Sequence, residues 1–254
     1  MLDCISVENM RLSDAQTIAQ WVPSLELMQR AAEGVFQAVA WKGNVAIMAG
    51  SGNNGGDGFE LACILREHQI ECTVFTLSQR LSQDSAFYAR KAETVEIPIR
   101  PFLPGQGCLE GFDMIVDCLL GTGFQGGLRE NYRSAIEEMN AADTYVVSVD
   151  INSGMNGDTG EADAAVCSDV TVTIGYVKNG LITENAGAHM KRLVCADIGI
   201  RLVREENKIC ERREWEKLCS SNGIPVTSNQ FTLANMTYFR CPTWLDMIPI
   251  KAYT

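Results

Sequence analysis

The chain has 254 residues, 46% of them hydrophobic and 21% charged, which is enough for one α/β domain with a full core. Its net charge of −11 leaves no basic surplus to neutralise phosphates and argues against a nucleic-acid or anionic-membrane partner. No run of about 18 apolar residues marks a membrane span. The N-terminus, Met1-Leu-Asp-Cys-Ile-Ser-Val-Glu8, lacks the basic and apolar regions of a signal peptide. A cytoplasmic protein with reduced thiols is therefore expected. The ten cysteines form no C-x-x-C pair and the two histidines, His68 and His189, are far apart, so the sequence offers no basis for a Cys/His metal site.

A polar segment carrying Met10, Ala15 and Ile18 reads as a short first helix. Residues 24–40 form an amphipathic helix: Ser24 can cap it, and Leu25, Met28, Ala32, Val35 and Val39 recur at helical spacing. Val45–Ala49 is a buried strand ending on glycines. A helix over 57–69 and a strand over 72–77 follow. Met114–Asp117 and Tyr145–Asp150 are further apolar strands, separated by a helix around 129–140, and Val170–Ile174 and Leu193–Asp197 complete the strands. Strands alternating with helices predict a three-layer α/β/α sandwich with a mostly parallel central sheet. From about residue 201 the pattern breaks. A charged segment comes first, with a short helix over Glu211–Cys219 and a turn at Asn222–Pro225. The tail beyond is too apolar for a linker and is expected to pack on the domain or on a partner, burying Trp244.

In an open parallel sheet, ligands bind beyond the carboxyl ends of the strands, and three loops leave such ends. The first is Gly50-Ser-Gly-Asn-Asn-Gly-Gly-Asp-Gly58. It satisfies G-x-G-x-x-G between a strand and a helix, a pattern that lets backbone amides approach phosphate beside a helix N-terminus. Alone the motif is weak. The acid that binds ribose in ordinary dinucleotide folds is missing, because the second strand runs into Leu77-Ser-Gln-Arg80. A tight strand-to-helix turn is the plainer alternative, although it has no need of Asn53, Asn54 and Asp57 crowded among glycines. The second loop, Asp117-Cys-Leu-Leu-Gly-Thr-Gly-Phe-Gln-Gly-Gly127, again frees amides for an anion. The third is Asp150-Ile-Asn-Ser-Gly-Met-Asn-Gly-Asp-Thr-Gly160. Carboxylates this close to a phosphate cradle need a cation or a proton between them and the ligand. Asn54, Asp117 and Ser153 together read as an oxygen-lined site for a hard cation, with potassium, magnesium and calcium all open on chemistry alone. Asp150 stays free for acid–base work. Each aspartate taken singly could instead cap a following helix.

These three loops resemble those of the NAD(P)H-hydrate epimerases, the YjeF N-terminal domain type. That family's G-P-G-N-N-G-G-D-G is matched here with Ser51 in place of proline. Its V-D-A-L-L-G-T-G is similar to Val116–Gly123. Its D-I-P-S-G-x-x-x-D-T-G is similar to Asp150–Gly160, with Asn152 replacing proline. Met10-Arg11 with Asp14, Leu27–Ala31, Gly175-Tyr-Val-Lys-Asn-Gly-Leu181 and Ala196–Gly199 resemble further parts, so the likeness covers about residues 1–200, with 201–254 as an extension. The segment Ala188–Arg192 lacks a glycine that family members often carry there.

The resemblance implies a Rossmann-like fold that binds hydrated NADH or NADPH together with a potassium ion. It implies substrate contacts from Asn53, Asn54, Gly55, Gly56 and Asp57, then from Gly121, Thr122, Gly123, Phe124, Gln125, Gly126 and Gly127, and from Asp150. It implies potassium contacts from Asn54, Asp117 and Ser153, and a homodimer formed through the N-terminal region. The two lost prolines predict altered loop stiffness with the chemistry kept. The expected reaction is interconversion of the R and S hydrate epimers, with Asp150 protonating the departing hydroxyl and later activating water. Residues beyond 201 are too few for a dehydratase domain, so a separate NAD(P)H-hydrate dehydratase is the expected companion. An NAD-dependent dehydrogenase and a non-catalytic nucleotide-binding module of the same fold are the competing readings. The missing ribose acid and the intact polar positions count against them, respectively.

Overall fold

The computed structural model describes residues 1–124, 126–233, 236–242 and 245–251, with Phe231 and residues 246–251 described by backbone alone. In chain order the elements are β1 (Leu2–Ile5), α1 (Val7–Gln20), α2 (Ser24–Ala38), β2 (Val45–Ala49), α3 (Asn53–Glu67), β3 (Cys72–Thr76), α4 (Gln83–Thr94), β4 (Ile99–Pro101), β5 (Met114–Cys118), α5 (Glu130–Ala141), β6 (Tyr145–Val149), β7 (Val170–Ile174) and β8 (Val177–Lys178). After a 3-10 turn at Asn179–Ile182 come α6 (Glu184–Gly187), β9 (Leu193–Asp197), β10 (Asn207–Cys210), α7 (Arg212–Asn222), β11 (Gln230–Leu233), β12 (Met236–Arg240) and β13 (Leu245–Lys251).

The main sheet runs β13-β9-β7-β6-β5-β2-β3-β4, and every neighbouring pair is parallel. All five residues of β2 are fully buried, which is why it reads as an unbroken apolar run. Val45, Ile47 and Ala49 join the core beneath α2, α3 and α4. Ala46 and Met48 join the opposite core with Ile115 of β5 and Ile136 of α5. The chain thus builds the expected α/β/α sandwich. Burying a side chain such as Phe59 or Ile47, both 0% exposed, contributes about 1.5–3 kcal/mol. Among the described residues, no helix is long and apolar enough to cross a membrane.

The strand order reverses between β2 and β5. β3 and β4 continue on one side of β2, while β5, β6 and β7 continue on the other. The crevice above this switch point is where a doubly wound sheet takes its ligand. β2 feeds the first glycine loop into it, β5 the second, and β6 ends one residue before Asp150.

Several elements differ from the sequence reading. Helix α2 is capped at Pro23, with no side-chain cap bond, and Ser24 is its first helical residue. Proline's fixed φ already sets the chain at the helix entrance. Helix α3 starts at Asn53, not near 57, because Gly55 and Gly56 already donate to Gly52 O at 3.1 and 3.3 Å. These glycines form the first helical turn, since no side chain fits there: a Cβ on Gly55 would lie 2.2 Å from Gly50 O, and one on Gly56 2.5 Å from Met28 Sδ. The apolar stripe of α2 packs on its own chain, over β7, β9 and α3, so that stripe does not call for a second copy.

The segment after 201 is woven into both sheets. β10 pairs antiparallel with β1 and parallel with β12, β12 pairs with β11, and β1 also pairs with β8, giving a second sheet β11-β12-β10-β1-β8. β13 extends the main sheet beside β9. Helix α7 has a capping box of Glu211 with Glu214 and ends on Gly223 in the left-handed region. Its Trp215 is 1% exposed. Trp244 lies outside the described residues.

Candidate active site

The three glycine loops, α1 and α2 enclose one cavity of about 600 Å³ over the switch point. Asn53, Asn54 and Asp57 line it from the first loop, Gly121, Thr122, Gly123, Phe124 and Gly127 from the second, and Asp150 from the third. Gly55 and Gly56 stand behind this wall, where they pack as described above. Gly126, at φ +93°, falls outside the lining as well. Gln125 lies outside the described residues.

The first loop delivers the N-terminus of α3, a 15-residue helix, to the cavity. Its leading amides and its dipole favour an anion there. Gly50 makes this possible. Its amide donates to Cys118 O at 3.0 Å, and a Cβ would sit 1.9 Å from Leu119 O, so only glycine lets the first two loops touch. Asn53 Oδ1 accepts from Ser82 Oγ at 2.7 Å, which ties this loop to the N-cap of α4. Arg11 of α1, which also lines the cavity, donates to Thr122 O at 2.7 Å and holds the second loop.

Asp150 is strained and gripped. It is a non-glycine residue at φ +70°, a conformation that costs energy and persists only where its surroundings fix it. Its amide donates to Val172 O at 2.8 Å. Its Oδ2 accepts from the Thr122 amide at 3.1 Å, and its Oδ1 from Lys178 Nζ at 2.5 Å. Lys178 is fully buried, and its remaining donors go to Thr173 Oγ1 at 3.0 Å and Ile174 O at 2.8 Å. This lysine was not among the residues singled out as functional. It lies in the Gly175–Leu181 turn, and a lysine beside Val177 in a short apolar strand was the available signal.

Asp57, Asp14 and Asp84 also line the cavity. Burial, with the negative charges of Asp150 and Asp14 adding to it, pushes the Asp57 carboxyl well above the usual range, and Lys178 opposes this only in part. Asp14 of α1 is also raised, by burial first and then by Asp150.

Asp117 and Ser153 form a buried corner behind the cavity wall, while Asn54 lines the cavity and bonds to the end of β6. Asp117 is 0% exposed. Its Oδ1 accepts from Ser153 Oγ at 2.5 Å and the Leu119 amide at 3.2 Å, and its Oδ2 from the Ser153 amide at 2.9 Å and Ser148 Oγ at 3.0 Å. Burial raises its carboxyl, and these four bonds counter it. Among the described residues no salt bridge to a cationic side chain reaches Asp117. Asn54 donates from Nδ2 to Val149 O at 3.3 Å, while its buried Oδ1 has no partner. A buried carboxylate without a countercharge and an orphaned amide oxygen fit a hard cation.

Asn152, which stands where the resembling family has proline, is fully buried. Its Nδ2 donates to Val166 O, Ser168 Oγ and His189 O at 2.9–3.0 Å, and its Oδ1 accepts from Thr171 Oγ1 at 2.6 Å. Four hydrogen bonds hold the third loop where a proline ring would stiffen it.

An α/β/α sheet with an anion cradle at its switch point, a buried acid–lysine pair and an oxygen-lined corner defines a nucleotide-binding protein equipped for acid–base chemistry. The family profile described as "YjeF-related protein N-terminus" matches residues 24–180, and the chain belongs to that family. It is 34% identical over 201 residues to the NAD(P)H-hydrate epimerase of Limosilactobacillus fermentum, covering 76% of this chain and 95% of that one. It is 32% identical over 233 residues to the bifunctional NAD(P)H-hydrate repair enzyme Nnr of Archaeoglobus fulgidus, covering 91% of this chain but 46% of that protein. The crystal structure of yeast ynu0, YNL200c, superposes with a TM-score of 0.66 over 94% of this chain and all of that one, at 20% identity. This last likeness concerns the fold alone.

Proposed function

We propose that this chain is an isomerase that interconverts the R and S epimers of hydrated NADH and NADPH, a metabolite-repair activity. The observation that carries this is the meeting of the α3 anion cradle and the Asp150–Lys178 pair in one cavity. Relatives that the chain spans almost completely, and that are named NAD(P)H-hydrate epimerase, support it.

The substrate carries a hydroxyl on C6 of its reduced nicotinamide ring, and epimerisation must break and remake that bond. The amides leading α3 and those of the second loop hold the pyrophosphate, with Arg11 and Arg129 at the cavity lining as the nearby cations. The ring then lies toward Asp150, whose carboxylate handles a proton at the C6 oxygen. Lys178 fixes that carboxylate by one oxygen, and the Thr122 amide orients the other. The ring nitrogen's lone pair stabilises the cation formed when the hydroxyl departs. Asn54, Asp117 and Ser153 would hold a potassium ion, which would offset the Asp117 charge, brace the three loops and screen the pyrophosphate.

A cytoplasmic setting and a homodimer belong to the same proposal. Leu12, Ile18 and Trp21 of the α1 region stay exposed and offer the N-terminal surface for pairing, and a light-scattering mass of 27.9 kDa would rule pairing out. A separate dehydratase consuming one epimer is the proposed companion. The direct test is to supply one purified epimer and follow the appearance of the other by chromatography. Asp150→Asn slows epimerisation by about 100-fold or more if the acid–base assignment holds, and wild-type speed in that variant would refute it.

A further inference from the structure

We infer that Asp57 is a second catalytic carboxyl of the epimerisation, acting on the face of the nicotinamide ring opposite the one that Asp150 serves. The inference rests on the proposed function. Inverting C6 requires oxygen to leave one face and arrive at the other. A carboxyl fixed to one wall reaches only one face unless the ring turns over inside the cavity. Asp150 is fixed to its wall by Lys178, by the Thr122 amide and by its own left-handed backbone.

Asp57 comes from a different wall. It sits on the first turns of α3, which rises from β2, while Asp150 follows β6. β5 lies between those strands, so the two strand ends stand roughly 10 Å apart, and both side chains line the same cavity. The charges divide the labour. Lys178 contacts Asp150, and its other two bonds go to neutral oxygens, so the Asp150 carboxylate has a countercharge and Asp57 has no ion pair among the described residues. The groups facing Asp57 are Asp14 and Arg11 from α1, Asp84 and the Tyr88 hydroxyl from α4, the Cys118 thiol from β5, and the Asp150–Lys178 pair. Burial together with the charges of Asp150 and Asp14 favours a proton on Asp57.

The step balances without oxidant or reductant. Protonated Asp57 gives its proton to the C6 hydroxyl, the C6–O bond breaks with its electron pair, and water leaves. The N1 lone pair forms a C6=N1 bond. On the other face a water oxygen bonds to C6, its proton passes to the Asp150 carboxylate, and the C6=N1 π electrons return to nitrogen. One proton has moved from Asp57 to Asp150, and turnover of the opposite epimer or exchange with solvent resets the pair.

Exchange of the C6 oxygen in ¹⁸O-labelled water tests this. A single carboxyl can release a hydroxyl and return labelled water at its own face, which exchanges oxygen without epimerising. Asp57→Asn and Asp150→Asn should each slow epimerisation by about 100-fold or more, while each still labels one epimer, a different one in the two variants. Asp57→Glu should recover part of the epimerisation. Circular dichroism and binding of the NADPH hydrate identify folded, competent variants. Asp57→Asn epimerising at near wild-type speed would overturn the inference. So would a folded, binding Asp57→Asn that labels both epimers or neither. A wild-type chain that neither epimerises nor exchanges would overturn the functional reading instead.

Discussion

Lys178 Nζ and Asp150 Oδ1 form an ion pair at 2.5 Å in which the lysine side chain is 0% and the aspartate 12% exposed. Removing one partner leaves the other charge stranded, at a cost of about 3–5 kcal/mol. Lys178→Met should therefore destabilise the fold by that order in urea titration. The double variant Lys178→Met/Asp150→Asn should recover much of the loss. Additive single effects would mean that the pair carries no coupling.

Gly121, one residue before the Thr122 amide that bonds Asp150 Oδ2, leaves no room for a side chain beside this pair. A Cβ there would stand 2.8 Å from Asp150 Oδ2 and 3.4 Å from the Asn54 side chain. Gly121→Ala should displace the acid–base group by a fraction of an ångström to an ångström and lower kcat/KM by about 100-fold. Gly123→Ala meets nothing within 4 Å and should leave folding stability within about 0.5 kcal/mol of wild type. Equal kcat/KM in Gly121→Ala and wild type would remove Gly121 from the site.

The orphaned Asn54 Oδ1 and the uncompensated Asp117 predict a stabilising cation. An ion that binds only the folded chain adds about 2.7 kcal/mol at about 100 times its Kd, so potassium should raise Tm relative to sodium or choline at equal ionic strength. Asn54→Leu should abolish that increment. A rise driven by magnesium would assign the corner to that ion, and identical Tm in all three salts would remove the site.

Asp57 ties stability to pH. A carboxyl whose folded pKa lies above its unfolded one contributes stability that is full below the unfolded value and is lost as pH rises through the folded one. The Asp57 carboxyl is raised by burial first and then by Asp150 and Asp14. Asp57→Asn should thus raise Tm relative to wild type at pH 8 by more than at pH 4. A Tm difference independent of pH would contradict the raised carboxyl.

The sheet and the three loops were legible because each carries a local signal. Parallel strands buried on both faces read as apolar runs, and glycines at strand ends mark close backbone approach. The place of Asp150 in the cavity and the contact of Asp117 with Ser153 followed from their strand-end positions. Lys178 did not, because its partner is 28 residues away and the only local signal was its place beside Val177 in a two-residue strand. β1 and β10 escaped for the same reason: Leu2 pairs with Ile209, a contact no window of sequence contains. Helix α4 had the signal, since its buried Ser85, Tyr88, Ala89 and Ala92 recur at helical spacing behind the Ser82 cap, but its polar composition hid it. The extent of α3 was misread because glycines mark loops until packing explains them.

The proposed activity is tested most directly with a mixture of the two hydrate epimers and a stereospecific dehydratase that consumes only one of them. Without this chain the dehydratase should stop once its own epimer is spent, near half conversion of an equal mixture. With it, the remaining epimer should drain through the epimerase and conversion should reach completion, and Asp150→Asn should slow the second half of that conversion by about 100-fold or more. Conversion that stays at half in the presence of the folded wild-type chain would contradict the account.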